Sequence, residues 1–214
     1  DGSGVWRARR VGYWGRVTFA TQACLVLLRR LSNYFPGVMT CVVDAQGYFV
    51  DGERYVEGYM GEEGQRGRLG ETGRDMGSMV LAWDAAKSGA SDPSDGQNLV
   101  LHEFAHQLDF EDFVADGVPA LGSRSAKQSW AEVMKVEFAA LRAADSTGIS
   151  TLLDTYGATN TAEFFAVSTE AFFERPTALR RRHPRLYSEM QRFFRQDPSL
   201  YSSEPVSPPT RAGA

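Results

Sequence analysis

Apolar residues recur at helical spacing along most of the chain, and they gather into short unbroken runs nearer its start. Ala20, Ala23, Cys24, Leu27, Leu28 and Leu31 share one face of a helix of about four turns that ends near Asn33. Phe35-Pro36-Gly37 then signals a turn. The β-rich run Val38–Val43 and the shorter Tyr48–Val50 flank Ala45-Gln46-Gly47, which is the pattern of a hairpin. Residues 51–77 carry eight glycines and many charges without a period, so they read as loop with one short strand near Tyr55-Val56. Met79–Trp83 reads as a further strand, and a second polar loop leads from it to Asp92-Pro93.

There the helical period returns. Leu101, Phe104, Ala105 and Leu108 form an apolar stripe behind a start that Ser94 or Asp95 can cap. Phe110–Leu121 has no clear period and contains the turn Asp116-Gly117-Val118-Pro119. Trp130, Val133, Met134, Glu137, Phe138 and Leu141 mark a long amphipathic helix. Asn160 can cap another that runs through Phe164, Phe165, Val167, Phe172 and Phe173 to a stop at Pro176. One more helix spans His183-Pro184 to Phe193-Phe194. Strands early and helices late predict an α+β domain, a small mixed or antiparallel sheet packed on helices with a helical C-terminal part. The expected layout is an N-terminal arm at 1–16, one domain at 17–200 and a Pro- and Ser-rich disordered tail at 201–214.

A chain of 214 residues suffices for one domain with a substantial core, and its formal charge of −4 gives no reason to expect nucleic acid. The Arg180-Arg181-Arg182 run reads as a solvated face. Cys24 and Cys41 lie in apolar runs and read as buried, reduced thiols, which fits a cytoplasmic setting. No apolar run approaches the ~18 residues of a membrane span, and no apolar core of a signal peptide stands near the start.

The chemistry concentrates in His102-Glu103-Phe104-Ala105-His106, which matches the HExxH pattern of zinc proteases and holds two of the three histidines. Positions i and i+4 project from one helical face, so both imidazoles can reach one tetrahedral metal, with Glu103 beside it as a general base for water. A third protein ligand is required. Asp112 stands six residues after His106, where the HExxHxxGxxH pattern has its last histidine, but Asp109 replaces the glycine of that sharp turn. Glu163 and Glu170, seven residues apart, share nearly one face of the later helix, and Glu163 also suits a capping box with Asn160. Spacing alone leaves these open.

The run Asn98–Asp109, with Asp116–Pro119, Tyr156, Ala162–Val167 and Glu170–Phe173, resembles the Mlc titration factor A family of zinc peptidases. Gln22–Leu28, Tyr34–Gly37 and Val80–Trp83 fit it too, so the likeness covers about residues 17–200. That family is in turn similar, around its zinc, to the metalloprotease domain of anthrax lethal factor, in which a tyrosine stands seven residues ahead of a glutamate ligand. Tyr156 and Glu163 have that separation.

The resemblance implies a zincin-like metallopeptidase domain with one Zn2+ per chain, held by His102, His106 and Glu163. It also implies Glu103 as base and Tyr156 as transition-state partner. Glu170, or alternatively Asp109, is then expected to orient a ligand histidine. It further implies aminopeptidase-like activity on small peptide substrates and, as a partner, the Mlc sugar repressor. This chain departs from the family pattern by its glycine-rich 51–77 insert and by lacking most of the N-terminal region. The leading expectation is a zinc-dependent peptidase whose substrate strand adds to the edge of Met79–Trp83. The alternative is a regulatory protein that sequesters a transcriptional repressor with little or no catalysis.

Overall fold

Five of the helices foreseen from apolar periodicity form, and they pack on one another. The computed structural model describes residues 13–30, 40–44, 49–50, 53–54, 78–112 and 114–202. In chain order these form α1 (Tyr13–Leu27), β1 (Thr40–Asp44), β2 (Phe49–Val50), β3 (Glu53–Arg54), β4 (Ser78–Ala82) and α2 (Trp83–Ser91). Then come α3 (Leu99–Asp109), α4 (Arg124–Thr147), α5 (Thr161–Glu174), α6 (Pro176–Arg182) and α7 (Pro184–Phe194).

The expected α+β architecture is corrected by this arrangement. Among the described residues the strands make only a parallel pair, β1 with β4 in the register Thr40 to Ser78 and Asp44 to Ala82, and the two-residue hairpin β2–β3. Pairs this narrow cannot cover a core. Leu81, the one strand residue whose side chain is described, lies in a core that the other described residues build from helices and the turns between them. The hairpin expected between Val38–Val43 and Tyr48–Val50 does not form, because β1 pairs with β4 and Phe49–Val50 with Glu53–Arg54. The stretch after Trp83, expected as polar loop, is the helix α2.

Helix α1 begins at Tyr13, inside the stretch expected as an arm, and ends at Leu27 rather than near Asn33; Ala20, Cys24 and Leu28 of its expected core face are exposed, and Phe19 and Val26 are buried instead. The rest of the arm, the strand near Tyr55-Val56, the glycine-rich run from 55 to 77, the tail from 203 and the side chain of Cys41 lie outside the described residues. Pro176 does end α5 as expected, but it also opens α6, since proline fits the first turn of a helix where its missing N–H is not needed.

Long aromatic side chains of α4, α5 and α7 interlock. Trp130 meets Phe165 and Phe193 edge to face, each with ring centroids 5.6 Å apart, and Phe172 stacks on Phe194 at 5.4 Å. The motif helix α3 lies on this assembly chiefly through α5, with α1 and α2 along its other sides. Just past its C-terminal end, Arg30 reaches from the end of the first helical segment to Glu111 at 2.7 Å and lies over the Phe193 ring at 4.4 Å. The third histidine, His183, sits away from the motif and pairs through Nδ1 with Glu137 of α4 at 2.8 Å.

Candidate metal centre

Helix α3 starts later than the Asp92-Pro93 turn suggests. Asp92 accepts the amide of Ser94 at 3.0 Å and Asp95 that of Gln97 at 2.8 Å, each closing a local turn, and Gly96 reverses the chain at φ +83°. Asn98 is the cap. Its backbone is extended, and its Oδ1 accepts the amide of Leu101 at 3.1 Å. The apolar stripe foreseen for the helix is buried, His102 is buried beside it, and Glu103 and His106 are half-buried.

On the facing helix, Asn160 caps α5 as expected, its Oδ1 accepting the amide of Glu163 at 2.9 Å. The Glu163 carboxylate turns towards α3. Glu163 Oε2 lies 3.0 Å from His102 Nε2 and 3.5 Å from His106 Nε2, and the two Nε2 atoms are 3.2 Å apart. A tetrahedron with zinc bonds of ~2.0–2.2 Å to nitrogen and oxygen has edges of about 3.3 Å. The three atoms therefore form a triangle of the size of one face of such a site, and they could hold a metal ion.

The second nitrogen of His102 decides which atom faces that triangle. Nδ1 lies 2.8 Å from Glu170 Oε1, and a carboxylate there takes the N–H, so Nε2 is the nitrogen that faces the triangle. Burial pulls the His102 imidazole down, but hydrogen bonds to Glu163 and Glu170 and their charges win, and its pKa is pushed up to about 10. Burial likewise raises Glu163, but His102 and His106 hold its carboxyl well below the usual carboxylate range. The surroundings thus favour positive charge between these groups, which a divalent ion would supply in place of the proton.

The remaining candidates are distributed as follows. Tyr156 stands on a single 3-10 turn, Thr155–Ala158, capped by Asp154, and its ring centroid is 6.1 Å from that of His102. Asp109 is fully buried and accepts the amide of Gly117 at 2.9 Å, so it anchors the loop after the motif, and Glu170 is the carboxylate on His102. The backbone of Asp112 closes the 3-10 turn after α3, and its side chain lies outside the described residues. Two residues close to the site escaped the reading of the sequence, the cap Asn98 and Glu174. Their signal was present: Glu163, Glu170 and Glu174 are spaced i, i+7 and i+11 on one helical face, and Asn98 stands three residues before Leu101.

A family model described as glucose-regulated metallo-peptidase M90 matches residues 10–195. The chain belongs to this family. An uncharacterized protein of Synechocystis, slr2042, is 37% identical over 185 residues, which is 86% of this chain and 67% of the relative. Mlc titration factor A of Edwardsiella ictaluri is 36% identical over 138 residues, 62% of this chain and 52% of that protein. The same factor from Pectobacterium atrosepticum is 36% identical over 137 residues, 62% of this chain and 51% of its own length. The chain thus spans about half the length of these titration factors. Membership in a metallo-peptidase family implies a metal, and the triangle of His102, His106 and Glu163 could hold it. No helix among the described residues is long and apolar enough to cross a membrane.

Proposed function

We propose that this M90 protein is a zinc-dependent peptidase of the aminopeptidase-like kind. The observation that carries the reading is the triangle of 3.0, 3.2 and 3.5 Å edges made by His102, His106 and Glu163. Three protein ligands with a fourth position left for water or substrate is the arrangement of catalytic rather than structural zinc. Zinc held there acidifies a water and polarises a carbonyl oxygen.

The chain's own residues then have distinct work. Glu103, next to His102 on α3 and half-buried, takes the proton from the attacking water and returns it to the leaving amine. Glu170 keeps the Nε2 lone pair of His102 on the metal side by accepting from Nδ1. Tyr156, beside His102, donates its hydroxyl to the oxygen that gains negative charge. An edge of β4 receives the peptide backbone as an added strand. Hydrolysis of a peptide library by the wild type and by Glu103→Gln, both with zinc bound, tests this: the variant should lose about 10²-fold or more of the rate. Equal rates would end the enzyme reading.

A second reading has a specific observation behind it, the similarity to proteins named Mlc titration factor A. In that reading this chain sequesters a transcriptional repressor, and catalysis is incidental. Co-elution of the purified chain with an Mlc-type repressor that is equally strong for wild type and Glu103→Gln, together with absent hydrolysis, would favour it.

A further inference from the structure

Glu170 does more than touch a ligand histidine. Its Oε1 accepts from His102 Nδ1 at 2.8 Å while its Oε2 accepts the backbone amide of Asn98, so one carboxylate from α5 grips α3 at its cap and one turn further on. The orientation of His102 is therefore only as firm as the position of Asn98. Every polar group of Asn98 is engaged. Besides the amide, its carbonyl accepts from His102 N at 2.9 Å, its Oδ1 from Leu101 N at 3.1 Å, and its Nδ2 donates to Glu174 Oε1 at 2.8 Å. Because Leu101 N–H can only donate, Oδ1 must face it, which leaves Nδ2 for Glu174. Asn98 and Glu174 are buried, so no water replaces a lost partner cheaply.

We propose that Asn98 and Glu174 are positioning residues of the metal centre: Glu174 fixes the Asn98 amide, Asn98 fixes Glu170, and Glu170 aims His102 at the metal. This rests on the reading of His102, His106 and Glu163 as metal ligands. Neither residue touches the ligand atoms of the triangle, so both act only through the geometry of others. Glu174 serves here as an acceptor, not as a charge. Burial first, and then Asp95 and Glu170, push its pKa up to about 7 against the bond from Asn98, and a neutral carboxyl still accepts through its carbonyl oxygen. A glutamine offers the same acceptor at the same reach, and a leucine does not.

The test is zinc affinity of the full chain, measured by competition with a chromogenic chelator, alongside urea unfolding of each variant in excess chelator. Wild type, His102→Ala, Glu174→Leu, Glu174→Gln and Asn98→Ser are compared. Serine keeps an oxygen for the Leu101 amide and removes only the Nδ2 donor. Glu174→Leu and Asn98→Ser should bind zinc about 10- to 100-fold more weakly, and Glu174→Gln should stay within about 3-fold of wild type. If wild type and His102→Ala bind zinc alike, the ligand reading itself fails. If His102→Ala loses zinc while Glu174→Leu and Asn98→Ser keep wild-type affinity, or if Glu174→Gln falls as far as Glu174→Leu, the ligands stand and the positioning role is overturned. Should Glu174→Leu not fold, Asn98→Ser and Glu174→Gln decide the matter between them.

Discussion

Two buried carboxyl groups one turn apart on a helix repel each other when both are charged, and Glu170 and Glu174 of α5 are such a pair. Glu170 takes two N–H donors and is best served by its charge. For Glu174, burial together with Asp95 and Glu170 outweighs the bonds from Asn98 and from the Gly96 backbone and brings its pKa up to about 7. A consequence for stability follows from linkage. The unfolded carboxyl titrates near its ordinary value of 4.5, so between there and 7 the folded chain binds more protons than the unfolded one, and the contribution of this residue falls as pH rises through that window. Glu174→Gln has no such dependence. In excess chelator, its stability relative to wild type should improve between pH 4.5 and 7.5 by on the order of 2 kcal/mol, read from urea unfolding. A flat difference across that window would mean that Glu174 keeps an ordinary carboxyl. Single residues of the site were legible where a motif or a cap marked them, as with His102, His106 and Asn160. For Asn98 and Glu174 the cap position and the helical spacing were visible, but not their pairing, which joins segments more than seventy residues apart.

Elements were legible where period and punctuation agree. Helix α4 begins after Ser123, whose side chain accepts the amide of Ala126, and ends at Gly148 in the left-handed region, so its apolar stripe has clear bounds. Helix α2 carries Trp83 and the small Ala85, Ala86 and Ala90 among polar residues and a glycine, and one large apolar side chain does not show a period. The pairing of β1 with β4 was illegible for another reason, since a hairpin is a local pattern and a parallel pair is fixed by a crossover. The loop between α3 and α4 shows how elements are locked together. Gly117, at φ +79°, donates to Asp109 at the end of α3 and accepts from Trp130 Nε1 of α4 at 2.9 Å, and a Cβ on it would lie 2.3 Å from the carbonyl oxygen of Thr161. Gly148 has a similar φ of +65° with open space around it. Gly148→Ala should therefore cost only the left-handed backbone, about 1 kcal/mol, and Gly117→Ala about 2–4 kcal/mol because neighbouring backbone must also move. Equal losses in urea unfolding would show that the Thr161 contact relaxes freely.

At the scale of the molecule, the early β-rich runs suggested a sheet as one layer, and the structure instead builds its core helix on helix. Hydrophobic content does not distinguish the two, because a five-residue apolar run serves a lone strand pair as well as a sheet edge. The motif, by contrast, was legible, since HExxH needs only one helix. The proposed metal site joins that helix to α5, and 61 residues separate His102 from Glu163. A metal held by both helices binds the folded chain far better than the unfolded one, so occupancy should stabilise the whole fold. With free zinc at about 1,000 times its dissociation constant the gain is about 4 kcal/mol, less whatever the unfolded chain binds. For a chain of this size that corresponds to a rise in Tm of roughly 8–16 °C over chelator-treated protein. Glu163→Gln should lose most of the rise, because it removes a proposed ligand. Glu103→Gln should keep it, because a base beside the metal contributes nothing to holding it. Calorimetry of the three proteins with zinc and with chelator separates these roles: a full rise in Glu163→Gln would remove that residue from the ligand set, and a lost rise in Glu103→Gln would make Glu103 a ligand and leave the site without its base.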